Sequence, residues 1–353
     1  MNIITPEFEI IEQQYNKETL YEDMLKHIEV CGRNCYKSED KITDTSYEKF
    51  VERLVKSEHG AMLEHGTVYL TIPLGTPAYE PDYIWKMDII RFFQNNPYSK
   101  VNSKFYNEDI NIKINGYDMN RYASATFYYI TTNWRVIIEN KDFEVVQYMG
   151  GMKSITGTLK DSVLQWMTEP SEEHEKRYTV KFTCDIGVTR EFNRHRKDSI
   201  AEESTRYCNY SKDKFGSELN ICKPEWIDKD WLSEGEYASI GYDIFKYCYA
   251  IYQQKDKDEF STIDYWLFLN LAAEYSYMNL IRLGWTAQQA RIVLPLDTKS
   301  TLIHTAFASD WVHFFELRAL GKTGAPHPSA KELAEPLMKE FISRKYIDEI
   351  KCI

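Results

Sequence analysis

The most charge-dense stretch of the chain is Arg194-His195-Arg196-Lys197-Asp198-Ser199-Ile200-Ala201-Glu202-Glu203-Ser204-Thr205-Arg206-Tyr207. It combines three guanidinium groups, a lysine, an imidazole, three hydroxyls besides the tyrosine and three carboxylates. Guanidinium groups bind phosphate or carboxylate through planar, bidentate donor forks. A solvated helix face with its own salt bridges is the alternative, but the segment lacks the four-residue Lys/Glu alternation of such a face. We therefore interpret it as an anion-binding site.

The composition is that of a globular protein with a substantial core. The chain has 353 residues, 43% of them hydrophobic and 27% charged, with a formal net charge of -11. An acidic chain of this kind is not expected to bind nucleic acid, so anion binding depends on local clusters. Its first residues lack the pattern of a signal peptide and no segment has the length of a membrane span, which predicts a cytoplasmic location without membrane contact. The seven cysteines include no C-x-x-C pair, which favours reduced, packed thiols.

The elements around the charged stretch can be predicted from periodicity. Val180, Phe182, Cys184 and Ile186 alternate with polar residues, which predicts a strand, and a short helix should connect it to Arg194. Downstream, the pattern predicts a long apolar helix over 264–283 ended by Gly284. It also predicts a short helix capped by Thr286 and containing Arg291, a helix over 309–320 with Arg318 near its end, and a last helix from Ser329, kinked or restarted at Pro336.

The amino-terminal half shows weaker signals. The spacing predicts a helix over 17–31, a break over 32–36, and a second helix capped by Thr45 together with Glu48. Val68, Leu70 and Ile72 predict a strand with one buried face. His59 and His65 precede this strand, but their spacing does not match a zinc site, so no metal is expected. The segment from about Pro73 to Ser171 shows no regular pattern and is interpreted as an insertion.

The charged stretch resembles the signature of the flavin-dependent thymidylate synthases (the ThyX family). Arg194-His195-Arg196 is followed after seven residues by Ser204. The longer family pattern Ser-x-Asn-Glu-x-Ser-x-Arg-Tyr is matched from Ser199 to Tyr207, with Ala201 in place of Asn. Further segments agree in order: 33–36, His59 with 63–65, 290–296 and 313–318.

This resemblance implies a fold and an activity. The fold would be α+β, with a twisted, mostly antiparallel sheet flanked by helices, in one domain over 1–353 whose core segments are 1–72 and 172–353 and whose unassigned insertion is at about 73–171. The activity would be the reductive methylation of deoxyuridylate at C5, with methylenetetrahydrofolate as carbon donor, NADPH as reductant and FAD as cofactor. The assembly would be a homotetramer with active sites at subunit interfaces.

The resemblance also implies roles for individual residues. Arg318 would polarise the uracil ring as a catalytic residue, and Ser204 would orient the nucleotide without bonding to it, since the reduced flavin replaces a protein nucleophile. The deoxyuridylate contacts would be Glu191, which is usually Gln in the family, Arg194, Glu202, Ser204, Arg206, Arg291 and Arg318. The FAD contacts would be His59, Arg194, His195, Arg196, Glu202, His313 and Cys35.

Several positions depart from the family pattern and leave alternatives open. Ala61, Phe307 and Ser309 stand where relatives carry a hydroxyl, an Asn and an Arg, so the contacts to the adenine and pyrophosphate of FAD differ from the usual set. Ala61, Ala201 and Phe307 also motivate a different hypothesis, a non-catalytic flavin or nucleotide sensor derived from this fold. A third hypothesis is a structural protein whose basic cluster forms salt bridges with its own acidic surface.

Overall fold

The structure, a computed structural model, describes residues 1–75, 83–107, 113–114, 117–118, 124–140, 146–149, 152–155, 158–227 and 262–350. Its α-helices, numbered in chain order, are α1 (Leu20–Tyr36), α2 (Ser46–Lys56), α3 (Gly60–Leu63), α4 (Tyr83–Asn95), α5 (Trp134–Glu139), α6 (Leu159–Leu164), α7 (Ile186–Phe192), α8 (Thr262–Arg282), α9 (Ala287–Ala290), α10 (Ala308–Arg318) and α11 (Pro328–Ser343). Its strands are β1 (Asn2–Ile4), β2 (Glu7–Ile11), β3 (Thr67–Leu74), β4 (Lys100–Tyr106), β5 (Lys113–Ile114), β6 (Tyr117–Asp118), β7 (Ala125–Asn133), β8 (Val146–Met149), β9 (Met152–Ile155), β10 (Arg177–Asp185), β11 (Ser199–Glu202), β12 (Asn220–Cys222) and β13 (Lys299–Phe307).

A four-stranded antiparallel sheet carries the charged stretch. Its strand order is β11-β13-β10-β2, and β10 pairs with β13 along nine residues, from Arg177 opposite Phe307 to Asp185 opposite Lys299. Within the charged stretch, residues 199–202 form the edge strand β11. This strand pairs with β13 from Ser199 opposite Thr305 to Glu202 opposite Leu302. Together with the flanking helices, this arrangement confirms the predicted α+β class with mostly antiparallel pairing.

A second sheet is built largely from the segment predicted to be irregular. Its order is β3-β7-β4, and both ladders are antiparallel. The prediction of irregular backbone from Pro73 to Ser171 is therefore wrong for the described part of that segment, which also contains α4, α5 and α6. Ile89, Phe93 and Ile130 are fully buried in the same core cluster as Met24 and Ile28 of α1. The segment thus shares a hydrophobic core with the amino-terminal helices.

A separate hydrophobic core fixes the helix that ends at Arg318. Val180 and Phe182 of β10 pack with Trp311, Phe314 and Phe315 of α10 and with α11. The ring centroids of Trp311 and Phe314 are 5.1 Å apart in an edge-to-face arrangement, a geometry that stabilises aromatic pairs beyond their area burial. The predicted helix over 309–320 is confirmed as α10, and its end is held rigidly by this core.

Local differences from the predicted elements have identifiable causes. Helix α1 does not stop at Gly32 but continues to Tyr36. A Cβ on Gly32 would lie 2.9 Å from the Phe50 ring, so this glycine allows α2 to pack closely and does not break the helix. Thr45 is the N-cap of α2, but its side chain makes no cap hydrogen bond; instead the hydroxyl of Ser46 accepts from the Thr43 amide. The capping box predicted with Glu48 is therefore wrong.

Other elements follow the predictions more closely. Strand β3 and helices α7 and α8 occur where they were expected, and Gly284 after α8 has a positive φ of 97°. Strand β3 is buried on both faces, not on one. Helix α9 ends at Ala290, so Arg291 lies in the 3-10 turn that follows. Helix α11 is one element with Pro336 inside it.

Candidate functional site

Strand β11 divides the charged stretch into two parts that face different clefts. Residues 194–198 precede the strand and line one cleft, whereas residues 202–206 follow or end it and line another. Asp198 and Glu202 are four residues apart, and extended chain spans about 3.3 Å per residue, so the nearest ends of the two parts lie roughly 13 Å from each other. Pairing with β13 fixes this separation. The helix-face alternative is wrong, because the stretch consists of a strand and its flanking loops.

The first cleft, called cleft A, has a volume of about 920 Å³. Six of its lining residues were predicted from the sequence to be functional: Glu191, Arg194, His195, Arg196, His313 and Arg318. They come from α7, from the loop after it and from α10. Arg194 and Arg196 are exposed, and no described carboxylate pairs with either of them. Cleft A therefore presents cationic groups that are free to meet an anionic ligand.

Arg318 lies at the inner end of cleft A and is held by three contacts. Its Nη1 donates to Glu191 Oε2 at 2.5 Å and its Nη2 donates to the Glu191 carbonyl at 2.6 Å. Its Nε donates to Nε2 of His195 at 3.4 Å. The side chain is 13% exposed. Because α10 is anchored in the aromatic core, these contacts place a fixed cation at the base of the cleft.

His195 is a neutral acceptor within the same cleft. Burial, and secondarily the nearby His304, lowers the pKa of His195 to about 4. The imidazole therefore carries no proton on Nε2 when it accepts from Arg318, a tautomer consistent with the contact. The rings of His195 and His313 lie 5.9 Å apart, centroid to centroid. This wall of the cleft thus presents two aromatic rings, and the buried His195 is neutral near pH 7.

Behind His195 lies a buried pair that sequence analysis did not identify. Nε2 of His304 lies 2.7 Å from Asp198 Oδ2, and both side chains are almost completely buried. The His304 ring contacts the Trp311 ring at a centroid distance of 4.5 Å, with the two planes tilted by 36°. His304 comes from the middle of β13, where no motif marks it; its role is to fix Asp198 and the loop that carries Arg196.

The second cleft, called cleft B, has a volume of about 930 Å³ and collects the remaining predicted nucleotide contacts: Glu202, Ser204, Arg206 and Arg291. Arg206 Nε donates to Gln288 Oε1, and Arg291 Nη1 donates to Thr205 Oγ1, both at 3.3 Å. No carboxylate in the described part of the chain pairs with either arginine. Arg190, which sequence analysis did not select, lines cleft B as well.

Glu202 is oriented by three hydrogen bonds. Its Oε1 accepts from Thr189 at 2.7 Å and from Ser300 at 3.2 Å, and its Oε2 accepts from Asn193 at 2.9 Å. All three partners are neutral, so the carboxylate keeps its negative charge uncompensated at the wall of cleft B. A group in that position can accept a hydrogen bond from a ligand hydroxyl or N–H.

Ser204 is positioned by a buried ion cluster next to it. The Glu203 carboxylate lies 2.7 Å from Lys299 Nζ and 3.3 Å from Lys37 Nζ. Burial alone would raise the pKa of Glu203, but the two lysines outweigh it and the pKa is lowered. The Ser204 amide donates to the Cys35 carbonyl at 3.1 Å. The sequence does not reveal Glu203, because nothing in the local pattern distinguishes it from the partly buried Glu202.

His59 and Cys35 lie near Ser204 and line neither cleft. His59 is exposed, and its Nδ1 lies 3.0 Å from the Tyr36 hydroxyl. The Tyr36 ring in turn contacts the Tyr207 ring at a centroid distance of 5.8 Å. Cys35 is nearly buried, which raises the pKa of its thiol to about 12. The single chain therefore does not bring these two predicted flavin contacts together with His195, Arg196 and His313.

The cysteines, metal-type ligands and membrane segments can be assessed within the described residues. Cys31, Cys35, Cys184, Cys208 and Cys222 are buried and form no disulfide, as predicted for packed thiols; Cys248 and Cys352 lie outside those residues. No group of three His, Cys, Asp or Glu side chains in this part of the chain is arranged to hold a metal ion. None of its helices has the length and hydropathy needed to cross a membrane.

Comparisons with known proteins agree on one family. The profile of the family described as "Thymidylate synthase complementing protein" matches residues 131–344, a span that starts within the predicted insertion and includes both clefts. Flavin-dependent thymidylate synthases from two strains of Tropheryma whipplei, TW08/27 and Twist, are each 26% identical over 193 residues, covering 52% of this chain and 71% and 70% of theirs. A crystal structure of the UMP/dUMP methylase PolB from Streptomyces cacaoi, bound with 5-Br dUMP, is 14% identical with a TM-score of 0.37 and covers 97% of this chain and 93% of that one. A similarity at that TM-score is too low to bear on fold or function.

Proposed function

We propose, from the premise that this chain belongs to the thymidylate synthase complementing protein family, that it is an FAD-dependent thymidylate synthase. It would methylate deoxyuridylate at C5, with methylenetetrahydrofolate as carbon donor and NADPH as reductant. The observation that carries the proposal is the family match over 131–344, because this span contains every one of the arginines in clefts A and B that were predicted from the signature.

The nucleotide contacts follow from the chemistry of the two clefts. Arg194 in cleft A, and Arg206 and Arg291 in cleft B, offer guanidinium groups that no described carboxylate neutralises, as phosphate binding requires. Glu202 can accept from a sugar hydroxyl, and Ser204 can donate to a phosphate oxygen. With Glu191 and Arg318, these residues form the deoxyuridylate set predicted from the signature.

The residues of cleft A fit FAD. Exposed guanidinium groups suit its pyrophosphate, and the neutral His195 beside His313 offers aromatic faces to a flat ring. A volume of about 920 Å³ is within the range of sites for large cofactors. His195, Arg196, His313 and Arg194 would hold FAD here, with Glu202, His59 and Cys35 contributed by a neighbouring subunit. When bound, FAD would supply the electrons for the reductive step.

Arg318 would act on the uracil ring. A fixed cation beside the ring oxygens would stabilise the enolate-like negative charge that makes C5 nucleophilic towards the carbon donor. Arginine suits this role because the guanidinium stays charged even when it is largely shielded from water. Its three contacts to Glu191 and His195 pre-set its position, so that little reorganisation is needed when the charge develops.

Ser204 would orient the nucleotide, and no cysteine would attack it. The thiols of Cys35 and Cys208 have pKa values raised to about 12 by burial, and none of the described cysteines lines cleft A or cleft B. A thiol becomes an effective nucleophile only as the thiolate. This supports a mechanism in which the chain contributes no covalent nucleophile.

The separation of the clefts supports active sites shared between subunits of a homotetramer. Arg318 and Ser204 line different clefts on one chain, so a single nucleotide that contacts both would need cleft A of one subunit and cleft B of another. Co-assembly of Arg318→Ala with Arg291→Ala subunits tests this arrangement. Sites that combine two subunits at random would be intact in about a quarter of cases, whereas sites within one chain would never recover activity.

Two measurements test the function itself. The purified protein should show flavin absorbance near roughly 370 and 450 nm, and adding deoxyuridylate should perturb that spectrum. Tritium should be released from C5-labelled deoxyuridylate when NADPH and methylenetetrahydrofolate are present. Protein that binds no FAD would refute the proposal. Tight binding of FAD and nucleotide without any tritium release would favour the non-catalytic sensor instead.

A further inference from the structure

We propose that Lys100, a residue of the segment predicted as an insertion, supplies a cation to the FAD site at the start of α10. This inference rests on the proposed function, because it concerns the pyrophosphate of the cofactor. It gives the inserted segment a role in cofactor binding. It also gives a physical reason for two of the positions, Phe307 and Ser309, at which the sequence departs from the family pattern.

The ammonium group of Lys100 lies against both of these positions. Lys100 is the first residue of β4, the edge strand of the second sheet. Its Nζ donates a hydrogen bond to Ser309 Oγ and lies 4.5 Å from the centroid of the Phe307 ring, within the range of cation–π contacts. Phe307 ends β13, and Ser309 lies in the first turn of α10. The inserted segment therefore meets the sheet that carries the charged stretch at the two substituted residues.

Lys100 restores a charge that the residue at position 309 lacks. Relatives carry an arginine there, whereas Ser309 is neutral and short. The Lys100 ammonium is in hydrogen-bond contact with the serine oxygen, although the two residues are 209 positions apart in the chain. An ammonium binds phosphate as a point charge and does not need the planar fork of a guanidinium. A positive charge is thus present at this place in the structure, supplied by a different segment of the chain.

Lys100 lies at the edge of cleft A. Its Nζ is 3.8 Å from Oδ2 of Asp310, which lines the cleft, and 3.6 Å from Oε1 of Glu175. Both separations are longer than a hydrogen bond, and the Glu175 oxygen also accepts from the Ser309 amide at 3.0 Å. An ammonium has three N–H donors, and the contact with Ser309 uses one of them. The side chain is 33% exposed, so a phosphate oxygen can reach the others.

The charge of Asp310 makes this cation more important. A carboxylate in the wall of cleft A repels a pyrophosphate, and a lysine beside it weakens that repulsion. Loss of the Lys100 charge should therefore act twice, by removing an attraction for the cofactor and by exposing the cofactor to Asp310.

The test measures the Kd of FAD from the quenching of flavin fluorescence, using protein from which the flavin has been removed. Lys100→Gln can keep the bond to Ser309 but carries no charge, and it should bind FAD at least about tenfold more weakly, as expected for the loss of one hydrogen bond to a charged group. Lys100→Arg should stay within about threefold of the wild type. Lys104→Gln is the matched control, because Lys104 lies on the same face of β4 but pairs with Glu173; it should bind FAD like the wild type.

A second substitution separates a local charge from a general effect on the fold. Adding Ser309→Arg to Lys100→Gln returns a cation to the same place from α10 itself. FAD binding should then recover to within about threefold of the wild type, and unchanged circular dichroism spectra show that the variants fold. Affinity that stays low in the double variant would show that the loss is not that of a cation at this place, and the inference would be wrong.

The other outcomes separate this inference from the proposed function. If the wild type binds FAD and Lys100→Gln binds it equally well, Lys100 does not hold the cofactor and the inference is wrong while the function stands. The same conclusion follows if Lys104→Gln weakens binding as much as Lys100→Gln. If the wild-type protein binds no FAD, the proposed function itself fails and takes the inference with it.

Discussion

Replacing the buried histidine of α1 by glutamine, His27→Gln, should make the protein less sensitive to acid. His27 is 5% exposed, and its Nε2 lies 3.0 Å from the Thr179 hydroxyl of β10. Burial, and secondarily the nearby Arg177, lowers the pKa of His27 to about 4, from an ordinary value of 6.5. In the folded protein this imidazole therefore stays neutral at pH values where the unfolded chain binds a proton.

The sign and the size follow from that difference. Because the folded pKa is depressed, the unfolded state binds more protons between pH 6.5 and 4, and the free energy of unfolding falls as the pH falls through this window. Above pH 6.5 both states are neutral and the group contributes no pH dependence. For the two pKa values given, the loss is about 2 kcal/mol between pH 7.5 and pH 5, and about 3 kcal/mol by pH 4.

Urea unfolding at pH 7.5 and pH 5, at one protein concentration, measures the effect. The His27→Gln variant should lose about 2 kcal/mol less than the wild type between the two pH values. His174 and His195 also have lowered pKa values, and their contributions cancel in this comparison. The pKa of His65 is lowered by burial and in part by His27 itself, so replacing His27 also reduces the share of His65 and acts in the same direction. Thr179→Val is the matched control, because it removes the hydrogen bond and leaves the imidazole to titrate. Equal losses in the wild type and in His27→Gln would refute the reasoning.

Three further substitutions test the site. Arg318→Ala should retain FAD but lose about 2 to 4 kcal/mol of transition-state stabilisation. The rate of tritium release measures this loss, and unchanged turnover would show that Arg318 does not act on the uracil ring. Ser204→Ala should weaken activity without abolishing it, and a covalent nucleotide adduct on the wild-type serine, detected by mass spectrometry, would contradict this. Glu203→Gln should destabilise the fold by about 3 to 5 kcal/mol in urea, because Lys37 and Lys299 lose their buried counter-ion; a loss below about 1 kcal/mol would show that the cluster is solvated.

Strands with an alternating pattern could be predicted from the sequence, and strands buried on both faces could not. Strand β10 alternates because its two faces meet different environments, and the prediction is confirmed from Val180 to Cys184, whereas Ile186 begins α7. Strand β13 lies at the centre of the same sheet, and eight of its nine residues are buried. Burial on both faces removes the alternation that identifies a strand, so β13 and its buried His304 were missed.

The aromatic runs of the predicted insertion illustrate a related limit. The segment was predicted to be irregular, but its run Phe127-Tyr128-Tyr129-Ile130 forms the middle of β7, the central strand of the second sheet. Aromatic and β-branched residues favour strands, and that signal was present. The sequence could not indicate which strand β7 pairs with. Strand β3 precedes it by some fifty residues, and pairing across such a separation leaves no local pattern.

At the site, the types of functional residue could be predicted from the sequence, but their arrangement in space could not. The signature identified the cations, and the structure places each of them at one of two clefts. It could not indicate that Arg318 would lie on the opposite side of β11 from Ser204, because that depends on the helix α10 docking against β10 and not on the residues between them. Nor could the signature distinguish Glu203, which is buried between two lysines, from its partly buried neighbour Glu202.

The hypothesis of a purely structural basic cluster can be weighed against the ion pairs of the described residues. On a protein of net charge -11, a cluster whose role is to bind its own acidic surface should be neutralised by it. Yet Arg194, Arg196, Arg206 and Arg291 have no described carboxylate partner, while Lys37 and Lys299 both pair with Glu203. Unpaired guanidinium groups at the walls of two clefts repel one another, and an anionic ligand removes that repulsion. The pattern of paired lysines and unpaired arginines therefore favours ligand binding over a structural role.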